Sequence, residues 1–151
     1  MQKITNYNFI YAHQDYNKIR WLCYKVKNEQ NIDRAAYILS KIIPHNVDII
    51  PMPSHLGFAT WTLKLCKEII NLRDDLNIFD CLYEIPNNGV CESKKYNKKI
   101  NPQIVIKYGY AVPSNCVLID NVYDTGCTYN AACEAIGKKI PIAVLGKTLK
   151  N

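Results

Sequence analysis

The chain has 151 residues, 48% of them apolar and 21% charged, which fits one globular domain and excludes a disordered chain. Its apolar runs are short and broken by Lys, Asp and Pro, so none reaches the roughly 20 residues that cross a bilayer, and no signal peptide is expected at Met1–Asn6. The net charge of +6 comes mostly from Lys, with Arg only at positions 20, 34 and 73, so it reads first as solubility and nucleic acid is not favoured as the main partner.

Residues 7–12 predict a short strand. Asp15 is placed to cap a helix whose apolar face carries Ile19, Leu22, Cys23 and Val26. Asn31 or Asp33 caps the next, with Ala36, Ile38, Leu39, Ile42 and Ile43 toward the core and Pro44 as its stop. Val47–Pro51 predicts a buried strand that runs into Pro51-Met52-Pro53-Ser54-His55 and then a helix at 57–72 carrying Phe58, Trp61, Leu65 and Ile69. Phe58, Trp21 and Trp61 are expected in the core, and His13 and His45 at the surface or in turns. A second strand is expected at 77–85. The polar, Lys-containing stretch 86–102 is long enough for a functional flap. Strands at 103–112, 116–120 and 140–146 complete the pattern, with a helix at 127–137 closed by Gly137. Alternating strands and helices make this an α/β chain with a mostly parallel sheet.

Seven cysteines, an odd number, show neither C-x-x-C pairs nor a His at finger spacing. Cys66, Cys81, Cys116 and Cys133 lie in apolar stretches, where a thiol behaves as a small hydrophobe. The expectation is a reducing, cytoplasmic setting without a disulfide framework or a zinc site.

The informative stretch runs from Val117 to Thr128, VLIDNVYDTGCT. An apolar strand delivers Asp120 and Asn121 to its tip, and Asp124-Thr125-Gly126-Cys127-Thr128 then opens a helix. Such a turn aims backbone N–H groups and the positive end of a helix dipole at one point, with threonine hydroxyls as further donors. That chemistry suits a monophosphate, while the Asp and the amide suit a sugar diol. Plain helix capping accounts for one residue of this pattern and leaves the rest unexplained.

The stretch resembles the phosphoribosyl-pyrophosphate (PRPP) motif of the type I phosphoribosyltransferases. Tyr11–Lys27, with Ile19 and Tyr24-Lys25, and Asp48–His55 are similar to the ComF-type subgroup; the zinc-binding N-terminal extension of many ComF-type proteins has no counterpart here. The resemblance implies one type I phosphoribosyltransferase-like domain over residues 1–151, with a parallel central sheet flanked by helices and a small N-terminal hood that includes Tyr24 and Lys25. It implies that Asp120 and Asn121 hold the ribose hydroxyls and that Asp124, Thr125, Gly126, Cys127 and Thr128 hold the 5′-phosphate. Met52, Pro53, Ser54 and His55 would form the pyrophosphate loop, which in the family often carries a non-prolyl cis peptide. Lys94 and Lys95 would lie in a flexible loop closing over PRPP, with Mg²⁺ entering on PRPP near Asp120.

The implied activity is transfer of the phosphoribosyl group of PRPP to a nitrogenous base, with a homodimer as the expected assembly. Asp124 stands where ComF-type chains usually have Thr. It matches the 6-oxopurine enzymes, where it serves in proton transfer, so the motif leans toward purines. Asn121 replaces the second acidic residue and supplies no second negative charge. This keeps two alternatives in view: a non-catalytic PRPP or nucleotide-binding regulator, and a ComF-like assembly or DNA-uptake protein with a vestigial site.

Overall fold

The computed structural model describes residues 4–6, 9–13, 15–86 and 102–148. Lys94 and Lys95 lie outside the described residues, as does most of the expected flap. The elements in chain order are β1 (Ile4–Asn6), β2 (Phe9–His13), α1 (Tyr16–Lys27), α2 (Ile32–Ser40), β3 (Asp48–Pro51), α3 (Trp61–Leu72) and β4 (Asn77–Ile78). They continue with β5 (Leu82–Glu84), β6 (Ile104–Ile106), β7 (Cys116–Ile119), β8 (Val122–Tyr123), α4 (Cys127–Ile136) and β9 (Ile142–Lys147).

The main sheet has the order β1-β2-β9-β7-β3-β4, with β8 also pairing β9. Every pairing in it is parallel except β1 with β2. Its central strands are apolar on both faces, as parallel strands covered on both sides must be. Ile49, Val117, Ile119, Ala143 and Leu145 meet α1, α2 and α3 on one face. Their strand neighbours Ile50, Cys116, Leu118, Ile142 and Val144 meet α4 and the β5–β6 ribbon on the other. The result is a three-layer α/β/α arrangement, the class the alternation predicts.

Local signals set the start of α1 and the end of α4. The Asp15 side chain accepts from the Asn17 N–H at 3.1 Å, as its N-cap role requires. Gly137, at φ 88°, closes α4. Asn31 precedes α2 in a left-handed conformation, without a capping bond from its side chain. Gly146 lets α1 lie close on β9, because a Cβ there would come within 2.6 Å of Ile19 Cγ2.

Several expectations are corrected. The strand at 77–85 is two strands. After β4 the chain turns at Phe79–Cys81 and leaves the main sheet, and β5 pairs antiparallel with β6 in a separate ribbon. Both partners offer apolar cover, so the sequence carries no mark of the change. The 103–112 strand shortens to β6, and the 57–72 helix starts only at Trp61. Phe58 and Trp21 are not core residues but stand 61% and 42% exposed. The N-terminal region is not a separate hood among the described residues: β1 and β2 join the main sheet and α1 packs on its face.

Candidate functional site

The connections leaving β3 and β7 diverge. From β3 the chain crosses through α3 to β4 on one side, and from β7 through α4 to β9 on the other. A sheet opens a crevice at such a switch point, beyond the carboxyl ends of its strands. The two segments singled out in the sequence, 52–55 and 120–128, form the two lips of that crevice. Met52 N–H continues the β3–β7 ladder to the Ile119 carbonyl at 3.0 Å, so the lips are in fixed register.

Asp120 sits at the tip of β7. Desolvation pushes its carboxyl up to about 7, with Glu84 adding in the same direction and the Asn121 N–H and Lys27 opposing. The Asn121 N–H donates to Asp120 Oδ1 at 2.9 Å. A carboxylate held this way gains from any ligand that offers hydroxyl donors or positive charge.

Asn121 is 8% exposed, and its side chain faces α1 rather than the crevice. Its Nδ2 donates to the Cys23 carbonyl at 3.1 Å, and the Cys23 thiol donates back to the Asn121 carbonyl at 3.5 Å. An ionised carboxylate has no proton to give the Cys23 carbonyl, which accounts physically for an amide here.

The Asp124–Thr128 turn has the expected form. Gly126 adopts φ 86°, and a Cβ there would run into the Tyr123 hydroxyl, so both backbone and space call for glycine. The first-turn N–H groups of α4 have no acceptor within the helix. That of Cys127 reaches only Thr125 Oγ1, at a long 3.4 Å. An anion would satisfy this set better. Beneath the turn, Tyr123 packs edge-on to Phe9 and Tyr129, giving it an aromatic floor. Thr148, just past β9, donates to Asp124 Oδ1 at 2.8 Å and orients that carboxylate.

On the other lip, Met52 is buried and its carbonyl accepts from Thr62 Oγ1 at 2.6 Å, so its side chain belongs to the core. Ser54 to Gly57 forms a turn closed by Gly57 N–H on the Ser54 carbonyl at 2.9 Å, with Ser54 Oγ accepting from Leu56 N–H at 3.0 Å. This leaves His55 exposed at the turn's corner. No cis peptide occurs among the described residues, in contrast to the loop expected from the resemblance. The β5–β6 ribbon leans on this lip: Glu84 N–H donates to the Gly57 carbonyl at 2.9 Å, and Tyr83 packs edge-on to Phe58.

Sequence reasoning missed Glu84 and Thr148. Glu84 follows Leu82 and Tyr83 in strand alternation, so a carboxylate on the buried face was a readable signal. It is 4% exposed. Thr148 had none, because its place beside Asp124 depends on β8 lying next to β9.

No family model matches the chain, and no curated protein matches it. Among solved structures it is similar in chain course to a hypoxanthine phosphoribosyltransferase from Staphylococcus aureus, at 15% identity and a TM-score of 0.43. That match covers 82% of this chain and 63% of the other, so the chain spans less than two thirds of that protein's length. It is also similar to a purine phosphoribosyltransferase from Pyrococcus horikoshii, at 18% identity and a TM-score of 0.41, covering 84% of this chain and 85% of that one. Likeness at this level transfers no residue role.

Proposed function

We propose that the chain is a phosphoribosyltransferase-like domain that binds PRPP in the crevice between β3 and β7 and transfers its phosphoribosyl group to a nitrogenous base, a purine by the Asp124 signature. One observation carries the reading: a desolvated carboxylate and a glycine turn at a helix N-terminus stand at one switch point, one short turn apart. The Asp124–Thr128 turn holds the 5′-phosphate by N–H groups and hydroxyls. Asp120 accepts from the ribose diol. The Ser54–His55 corner and the backbone of Met52 and Pro53 face the pyrophosphate.

The base nitrogen forms its bond to C1 as the C1–oxygen bond to pyrophosphate breaks, and the proton that the base loses passes to the Asp124 carboxylate. Positioning and electrostatics account for the rest. The described residues contain no cluster of three or more His, Cys, Asp or Glu. Mg²⁺ would therefore enter on PRPP, with Asp120 as the nearby carboxylate to hold it, and would supply charge neutralisation to the departing pyrophosphate.

A second reading, a PRPP-binding regulator without turnover, draws on Asn121. Its amide is engaged with α1, leaving Asp120 as the lone acidic residue at the strand tip.

Calorimetry with Mg²⁺ and PRPP tests both. The wild type binds, and Thr125→Ala weakens binding at least about tenfold, the value of one hydrogen bond to a charged group. Turnover of guanine, hypoxanthine or xanthine then separates enzyme from regulator. Absence of wild-type binding would overturn both.

A further inference from the structure

We propose that the outer face of α1 and α2, turned away from the sheet, binds single-stranded nucleic acid. Three aromatic residues stand exposed there, Trp21 at 42% and Tyr24 and Tyr37 at 54% each. Each carries a cation over its ring: Arg20 over Tyr24 at 5.5 Å, Arg34 over Trp21 at 5.0 Å and Lys41 over Tyr37 at 4.9 Å. The Arg34–Trp21 pair joins the two helices, so the three stacks form one surface. Trp21 and Tyr24 are three residues apart on α1, as are Arg34 and Tyr37 on α2, which keeps each pair on one helix face.

The charge is concentrated on the same elements. Between Tyr16 and Lys41 there are six basic and two acidic residues, so this segment supplies +4 of the chain's +6. Of the two acids, Glu29 is paired with Lys64 at 2.8 Å and Asp33 lies in the first turn of α2. Arg20, Arg34 and Lys41 form no ion pair with a described carboxylate. They remain available to phosphates.

This combination selects the occupant. An acidic protein segment engages the cations and gains little from the rings. A duplex does the same, since its bases are already stacked. Unpaired bases stack on the rings in place of the cations now over them, or on the flat guanidinium of Arg20 and Arg34, and the cations turn to the phosphates. The inner side of α1 holds the Cys23 contact to Asn121, so the stacked rings lie on a different side of that helix, and the proposal does not rest on the PRPP reading.

The test is fluorescence anisotropy of a labelled oligouridylate of about 12 nucleotides. With three phosphate contacts, affinity falls about 20-fold between about 50 mM and about 200 mM salt. Trp21→Ala and Tyr37→Ala each weaken binding at least about fivefold, while Trp21→Phe retains most of it. Arg34→Glu with Lys41→Glu abolishes binding and leaves the far-UV circular dichroism unchanged. Lack of wild-type binding at the lower salt overturns the proposal. So does binding that the aromatic variants do not move, or a duplex or heparin held as tightly as the single strand.

Discussion

Asp120 links the candidate site to stability through its protonation. Its carboxyl titrates near 7 when folded against an ordinary value near 4 when unfolded. Between these values the unfolded chain has released the proton and the folded chain still holds it. The folded state therefore loses stability as pH rises from about 4 to about 7 and no further beyond it. Asp120→Asn removes this dependence, so the variant gains on the wild type between pH 5 and pH 8 in urea unfolding. Parallel pH profiles for the two proteins would show that burial does not hold the proton. Legibility at this scale follows sequence distance. The Asp15 cap was readable because its partner is two residues away. The inward turn of Asn121 was not, because Cys23 lies 98 residues earlier and only the fold brings α1 to the tip of β7.

Elements are joined by groups that no motif marks. Arg73, just past α3, sends Nη1 to the carbonyls of Ser40 and Ile43 at 2.8 and 3.0 Å and Nη2 to that of Pro44 at 3.2 Å. It thus closes the exit of α2, which ends at Ser40, where Pro44 has no N–H to offer the Ser40 carbonyl four residues before it. The same guanidinium grips Asp75 through Nε and Nη2 at 2.8 and 2.7 Å. With the Asn46 N–H, it holds that carboxyl well below the usual carboxylate range. Asp75 therefore contributes stability at neutral pH that is lost as pH falls below about 4, the reverse of Asp120. Only a planar fork reaches all these acceptors at once. Arg73→Lys should cost about 1–3 kcal/mol, chiefly through the orphaned carbonyls of the α2 exit. Chemical denaturation measures it, and an unchanged midpoint would place the closure of α2 elsewhere. Periodicity gave the helices and the apolar strands well, since both are local patterns. It failed at 77–85, where an apolar run changes partners between sheet and ribbon.

At the scale of the whole molecule, the strand order decides where a ligand sits. Divergence of the β3 and β7 connections opens the crevice, and the lips bring together residues that are more than 60 positions apart, such as Met52 and Ile119. The chain's alternation of strands and helices predicted the sheet class, but not this order, which depends on which strands find one another across the core. A ligand that spans both lips ties the two crossovers together and stabilises the fold by mass action. At a hundred times its dissociation constant the gain is about 2.7 kcal/mol, or roughly 5–10 °C in melting temperature for a domain of this length. PRPP with Mg²⁺ should produce a shift of that size. Ribose 5-phosphate at equal concentration reaches only the 120–128 lip and should give a smaller one. Gly126→Ala should remove most of both, because its Cβ would meet the Tyr123 hydroxyl and the turn would lose its left-handed residue. Pyrophosphate alone tests the basic charge. A shift as large as that of PRPP, surviving Gly126→Ala, would assign the stabilisation to nonspecific anion binding and take the crevice out of the argument.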